Sequence, residues 1–401
     1  MATLAFTARA AQGMEPGLDY FHDAGGAIDS LVRWDLTGFF ASQPLMGSFS
    51  LLVRAPFVAL VFHGSASTVY FAGAIPCLLA TLILGAALAR LVADHGQPPA
   101  VQGVVAGLAI INPITFKALH WGHPEELLTA ALCVGAVLAA MRQRTILAGV
   151  LLGLALATKQ WALIAVLPVL LAAPACQLRL GAVAAMTACL LTLPMLLGNP
   201  GQFGSVTEAA TGAVSAGSRT TPWNVWWPIA QATELSDGRL LYVGPAWVAR
   251  VSHPAIIAVG LPLALLLWRR QGRRADDALL LMALLFLLRC LLDNWNGDYY
   301  HAPFLLSLLA WEATRRPGLP YLSMAVVGAL SLSFWPYSTR VFTDSAPYAA
   351  TLNAVYLAWT LPLAAYLAIR LYWPDRASDV ADRLDGYQRF AIVRRSQRPA
   401  H

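Results

Sequence analysis

Charge is what this sequence has least of. Asp, Glu, Lys and Arg make up 12% of its 401 residues, 58% are hydrophobic, and the mean hydropathy is +0.60. Soluble domains average about 25% charged and about 45–50% apolar residues, so a water-soluble globule is excluded as the main architecture. Cysteine is sparse as well. Cys77, Cys133, Cys176, Cys189 and Cys290 stand singly inside apolar runs, with no CxxC and no His/Cys cluster. That pattern excludes a disulfide framework and leaves small buried apolar side chains as the expectation. There is no GxSxG, P-loop or dinucleotide fingerprint, so the common soluble-enzyme frameworks are absent. No internal repeat or low-complexity tract occurs, and no charged segment leads into an apolar one after Met1 as in a signal peptide.

What the chain has instead is a series of apolar runs, roughly 67–90, 99–116, 125–141, 145–157, 160–175, 180–197, 246–268, 277–292, 300–313, 319–336 and 349–372. The runs 67–90, 180–197, 246–268 and 349–372 are long enough to span a bilayer, which takes about 20 residues. Several others are short, as expected of half-helices or of helices that end at a buried cavity. The segment 50–63 is apolar but carries Arg54 and Pro56, and an interfacial or re-entrant placement is expected for it. The fold class is therefore all-α: a polytopic integral membrane protein with about 10–11 transmembrane or half-membrane helices.

The loops between these runs are sorted by charge. One set is short and arginine-rich: Arg142 and Arg144; Arg179; Arg269, Arg270, Arg273 and Arg274; Arg315 and Arg316; and the tail with Arg376, Arg383, Arg389, Arg394 and Arg395. The other set is rich in His, Trp, Asn and carboxylates: 1–49, the stretch around His120–Glu126, 198–245 and Asp293–His301. The positive-inside rule makes the first set cytoplasmic and the second extracytoplasmic. The net charge of +6 and pI near 9.2 are thus a topology signal, and nucleic acid is set aside as a partner. Three parts are expected: an extracytoplasmic catalytic loop at 1–49, a transmembrane domain at 50–373 with a long outer loop at 198–245, and a basic cytoplasmic tail at 374–401. Residues 1–65 then lie outside without an export signal, so a further membrane helix upstream of Met1 is expected in the natural gene.

Five polar constellations fall in the outer set. Asp19, Asp23, Asp29 and Asp35 supply four carboxylates in one short stretch, and a carboxylate beside a low-dielectric surface suits general-base work as well as a solvated loop. Lys117, His120, His123, Glu125 and Glu126 gather at the mouth of two spans. The three-residue spacing of His120 and His123 is compatible with a metal site, but Gly122 and Pro124 favour a turn that contacts sugar or phosphate, and no metal is expected. Lys159 interrupts an otherwise uncharged hairpin, where it either snorkels or meets an anion. Arg289 and Asp293 stand one helical turn apart and can pair, ahead of the polar-aromatic run Trp295 to His301 with Asp298 and Tyr300. Trp223 and Trp226 are placed either to stack on sugar faces or to dip into the lipid interface.

The order of these parts resembles the C-type glycosyltransferases, and within them the bacterial family-87, DUF2029-type mannosyltransferases. The resemblance rests on LDYFHDAGGAIDSLVRWDLTGFF followed by SLLVRAPFVALVF, on GLALATKQWALIAVLP with Lys159, and on NWNGDYYHAPF. It covers about 19 to 372. The sequence departs from the family's pattern where HWGHPEELL replaces a Gln/Asn-rich turn, and in lacking a first helix.

That resemblance implies an enzyme of the cell envelope, a membrane hexosyltransferase, that takes sugar from a polyprenyl-phosphate donor, with mannose expected. The acceptor is a lipid or glycan on the extracytoplasmic face, the anomeric carbon is inverted, and no cofactor is implied. It assigns the acceptor-activating base to Asp19, with Asp23 as the rival. Arg54, Lys159 and Arg289 would hold the leaving phosphate. His301 or His123 would relay protons, and Trp223 and Trp226 would cover the sugar. His120, Glu125, Asp293, Asp298 and Tyr300 would complete the substrate contacts. A transporter or lipid-sugar flippase is the competing class, but such proteins often show repeats and mid-membrane ionisable residues. A non-catalytic envelope-assembly subunit is the third reading. It requires that the outer carboxylates do not converge on a cavity.

Overall fold

A computed structural model describes residues 19–43, 47–210, 219–234, 236, 240–315, 318–338 and 346–374. Every apolar run of the sequence forms helix. The described residues open with a π-helical turn, Phe21–Gly25, and short helices α1 (Gly26–Val32) and α2 (Leu36–Ala41). Of the loop expected at 1–49, residues 1–18 and 44–46 lie outside the described residues and 19–41 are largely helical: Asp35 caps α2 by accepting from Gly38 N at 2.9 Å, and Arg33 pairs with Asp29 at 3.2 Å. Local capping and i,i+4 pairing, not catalysis, absorb these two of the four carboxylates.

The main body follows as α3 (Ser48–Ala59), α4 (Ala66–Asp94), α5 (Pro99–Ile110), α6 (Pro113–Trp121), α7 (Pro124–Met141) and α8 (Thr145–Leu156). A 3-10 turn at Gln160–Ala165 leads into α9 (Val166–Ala172), then α10 (Gln177–Gly198) and α11 (Pro200–Ala210). A short antiparallel hairpin, β1 (Gln231–Glu234) and β2 (Leu240–Val243), decorates the 198–245 segment. The last described helices are α12 (Ala246–Arg269), α13 (Asp277–Leu292), α14 (Ala302–Arg315), α15 (Tyr321–Ser338) and α16 (Ala346–Tyr372), and the tail expected at 374–401 lies, but for residue 374, outside the described residues.

Among the described residues, six helical stretches are long and apolar enough to cross a membrane: Ala66–Asp94, Pro99–Trp121, Pro124–Met141, Pro174–Gly198, Ala246–Arg269 and Ala346–Tyr372. The protein is a multi-pass membrane protein. Burial separates the inner from the outer helices. α7, α13 and α14 are apolar and almost wholly buried. Pro174–Gly198 and Ala246–Arg269 expose most of their apolar side chains, as lipid-facing helices do. Cys189 is exposed on α10 while Cys77, Cys133 and Cys290 are buried, which corrects the uniform burial expected from sequence.

Charge divides the bundle by its ends. α7 runs from Glu125 and Glu126 at one end to Arg142 at the other; α13 runs from Asp277 back to Arg289 and Asp293; α14 runs from His301 to Arg315. At the arginine end, Arg315 reaches Asp277 at 2.9 Å, Arg274 reaches Asp276 at 3.0 Å, and Arg270 pairs with Asp277 and with the Leu371 carbonyl. The opposite end carries Glu125, Glu126, Asp293, His123, His301 and the aromatic turn at Tyr299–His301.

Close approach of α8 to α10 depends on Gly149 and Gly153. A Cβ at Gly153 would meet Thr187 Cβ at 2.5 Å and the Ala184 carbonyl at 2.6 Å, and one at Gly149 would meet Val183 Cβ at 2.7 Å. This four-residue spacing of small residues lets two apolar helices pack backbone to backbone in a membrane. Gly153→Val should therefore lower stability by about 1–3 kcal/mol through overpacking, whereas Gly107→Ala, with open space around it, should not lower it. Thermal unfolding of both variants in detergent measures the difference.

Candidate active site

The site is built around a carboxylate that water cannot reach. Glu125, in the first turn of α7, is fully buried. An isolated buried carboxylate is prohibitively costly unless paired and hydrogen-bonded, and three cations meet it. Lys159 Nζ lies 3.0 Å from its Oε1, His123 Nδ1 2.9 Å from the same oxygen, and Arg54 Nη1 3.4 Å from Oε2. Lys159 also reaches Glu126 at 3.3 Å. His123 Nε2 then lies 3.0 Å from Asp19 Oδ2, whose side chain is half exposed. A continuous line of polar contacts thus runs from the rim at Asp19 to the floor at Lys159.

Local structure explains how these residues arrive. Asn112 caps α6 by accepting from Ile114 N at 2.9 Å and Thr115 N at 3.0 Å. α6 ends at Gly122, whose φ of +89° suits glycine. A Cβ there would also strike Tyr20 N at 2.7 Å, so the turn and the Asp19 segment approach only because Gly122 has none. Pro124 then opens α7 at a position that needs no amide donor, and the turn between points His123 inward. Lys159 sits where α8 gives way to the 3-10 turn, and the extended Gly47 with the first turn of α3 docks on that turn through Gly47 N to Thr158 O at 2.8 Å and Phe49 N to Ala157 O at 3.0 Å. This docking starts α3 and carries Arg54 to Glu125.

Aromatic rings wall the cluster. His123 stacks on Tyr299 with ring centroids 4.6 Å apart. Arg54 lies over Tyr20 at 4.5 Å, and Arg289 is held between Trp161 at 5.1 Å and Tyr300 at 4.7 Å. Among the described residues, Arg289 Nη1 and Glu126 Oε2 are buried with no hydrogen-bond partner, which leaves one donor and one acceptor unsatisfied in the same polar neighbourhood. Next to Asp19, Tyr20, Phe21 and Asp29 line a groove of about 630 Å³ that continues to Arg33 and His63.

Burial disfavours the charged His123 ring, yet hydrogen bonds to Asp19 and Glu125 and the Glu125 charge outweigh it and push its pKa up to about 9. Lys159, also opposed by burial, is held above the usual lysine range by Glu125 and Glu126. Asp23, one helical turn beyond Asp19, is raised above the usual carboxylate range by burial and by the Asp19 charge, against the pull of His123. At neutral pH Asp19 therefore faces an imidazolium.

Asp19, Asp23, Arg54, His123, Glu125, Lys159, Arg289 and Tyr300, all named from the sequence, come together. Others do not. Arg54 is fully buried beneath Tyr20 and Glu125, so it neutralises Glu125 and does not present itself to a phosphate. His301 is buried with Nδ1 3.1 Å from the Gly297 and Asp298 carbonyls and Nε2 2.8 Å from Tyr356 Oη. Burial pushes its pKa down to about 4, so it is not placed to relay protons. Arg289 and Asp293 do not pair; Asp293 caps Trp295 N at 3.1 Å and lies 3.8 Å from His253. Asp298 pairs with Lys117 at 3.7 Å, and His120 stacks on Phe116 instead of joining His123. Trp223 is a core residue, its indole donating to Ser333 O at 3.0 Å and its ring against Phe334. Trp226 donates to Leu292 O at 2.6 Å. No group of His, Cys, Asp and Glu among the described residues could hold a metal ion.

The sequence reading places Glu126 at the mouth of two spans without giving it a substrate contact, and it misses Tyr20, Trp161 and Tyr299 as wall residues. Tyr20 and Tyr299 are chain neighbours of Asp19 and Tyr300, and Trp161 lies two residues after Lys159; that proximity was the available signal.

The raised pKa of His123 sets a pH dependence. A group raised from about 6.5 in the unfolded chain to about 9 contributes stability that is full below pH about 6.5 and is lost as pH rises through about 9. Melting curves of the protein and of His123→Gln should differ most at the acid end of that window and converge above it. A gap that stays constant across the window would mean that the ring carries no charge.

A search of curated proteins finds no match. The model for glycosyltransferase family 87 does match, over residues 47–292. The matched span holds Arg54, His123, Glu125, Lys159 and Arg289, while Asp19 and Tyr299 lie outside it. It covers more than half of the 401 residues, and the chain, with its bundle of membrane helices, belongs to glycosyltransferase family 87.

Proposed function

We propose that this membrane glycosyltransferase transfers a hexose, mannose in the first instance, from a polyprenyl-phosphate donor to a lipid or glycan acceptor on the extracytoplasmic face, with inversion. The observation that carries the reading is the Asp19–His123–Glu125–Lys159 line. It sets a half-exposed carboxylate above buried cations, at a site flanked by Tyr299 and Tyr300. Single displacement needs a base for the acceptor hydroxyl on one side of the anomeric carbon and cations for the leaving phosphate on the other.

Asp19 is the base in this reading. His123 orients it, and the imidazolium balances its charge before the acceptor proton arrives. Lys159 and Arg289 take the charge that develops on the leaving phosphate; Arg289 has a free donor for it. Arg54 and Glu125 act through the others, as positioning residues. The extracytoplasmic placement is supported by the arginine-rich opposite end.

Asp19→Asn should abolish transfer from polyprenyl-phosphate mannose, a loss of roughly 10²–10⁴-fold, since the amide cannot accept the proton. Purified-enzyme assays with Asp23→Asn as the matched control decide the assignment. If Asp23→Asn is dead and Asp19→Asn active, the base is Asp23. If both keep full activity, neither carboxylate is the base.

Sidedness has its own test. With the native cysteines replaced, a cysteine placed at Gln271 should escape an impermeant reagent on intact cells, and one placed at Thr233 should react. The reverse pattern would invert the topology.

A further inference from the structure

At the arginine end the cations fall into two groups that differ in one respect. Arg270, Arg274 and Arg315 are neutralised by Asp276 and Asp277. Arg142, Arg144 and Arg179 have no carboxylate partner among the described residues. Two of these, Arg144 and Arg179, line one cleft of about 580 Å³ with Gln143, Ile146, Leu147 and Val150.

The cleft lies at the start of two helices that run in the same direction, α8 and α10. Gly149 and Gly153 lock the pair together one and two turns further on, so the spacing of the two arginines is set by backbone packing. Neither helix has a side-chain cap or an acidic residue in its first turn. Both positive helix ends therefore add to the two guanidinium groups instead of being offset. From the cleft, the surface continues into exposed apolar side chains, Ile146 and Leu147 on α8 and Leu178 and Met186 on α10.

We propose that this cleft binds the headgroup phosphate of an anionic phospholipid from the leaflet at the arginine end. Two planar guanidinium forks suit phosphate oxygens. The apolar surface running on from the cleft, over Ile146 and Leu147 and along the lipid-facing α10, suits acyl chains and not a soluble anion. Basic pockets between membrane helices recognise lipid headgroups in this way. The bound lipid would hold together α8 and α10, and α8 leads directly to Lys159, so the lipid stabilises the helix pair beneath the site at the other end.

The test uses the full chain purified in an uncharged detergent, with the unfolding temperature as the readout. Phosphatidylglycerol should raise it by mass action; phosphatidylcholine and inorganic phosphate should not. In the Arg144→Gln/Arg179→Gln double variant most of that rise should be lost. In Arg142→Gln, which removes an exposed arginine outside the cleft, it should be kept. An equal rise with phosphatidylcholine overturns the headgroup assignment, and an equal rise with inorganic phosphate overturns the lipid. An undiminished rise in the double variant, or an equal loss in Arg142→Gln, overturns the cleft as the site. If the double variant is too unstable to purify, Arg179→Gln alone carries the same comparison.

Discussion

The fully buried carboxylate of Glu125 is the constraint on which the site end of this protein depends. A carboxylate out of water must be compensated by charge and hydrogen bonds, and breaking such a pair by removing one partner costs about 3–5 kcal/mol. The compensation comes from three separate chain segments: Arg54 on α3, His123 in the turn before α7, and Lys159 after α8. Neutralising Glu125 therefore requires these segments to converge, and convergence assembles the site. Two glycines make it sterically feasible. Gly122 admits the backbone of Tyr20, and Gly47 admits the Ala157 carbonyl, which a Cβ would meet at 2.1 Å.

The same charge that organises the interior also orients Asp19. His123 uses one ring nitrogen on Glu125 and the other on Asp19, so its charged form is stabilised from both sides. The rim carboxylate is thereby tied to the floor of the site through a single ring, itself held flat against Tyr299. Arg289, stacked between Trp161 and Tyr300, is oriented by rings instead of by carboxylates. A cation fixed by stacking keeps its donors available, which a cation fixed by ion pairing does not.

The asparagine-rich segments play a different part. Asn224 donates to Thr220, Thr221 and Asn294 and accepts from the Trp226 and Trp227 amides. Asn296 reaches the Trp223 carbonyl and Tyr356, and Asn353 on α16 reaches the Pro222 and Asn224 carbonyls. These bonds satisfy buried backbone groups of irregular chain at the end of a membrane bundle, where water cannot do so. The segment between α11 and α12 is thus stitched to the turn after α13, and that turn presents Tyr299 and Tyr300 to the site. Residues that look like a carbohydrate-binding cluster in the sequence are mostly scaffold.

By itself the sequence determined the helical membrane architecture, because apolar runs in a bilayer have only one way to satisfy their backbone, and each run of the chain became helix. It also determined the sorting of arginines to one set of loops, since charge beside an apolar run is visible without coordinates. It pointed to Asp19, His123, Glu125, Lys159 and Arg289, since ionisable groups next to spans need a reason to be there. Only the tertiary structure decided which of them meet. Asp19 and His123 are 104 residues apart, and Arg54 and Glu125 are 71 apart; no local periodicity encodes such pairings. The same limit explains the misreadings. Trp223, His301 and Asp298 have the chemistry of site residues, but burial and hydrogen-bond partners assign roles, and those are properties of the packed chain.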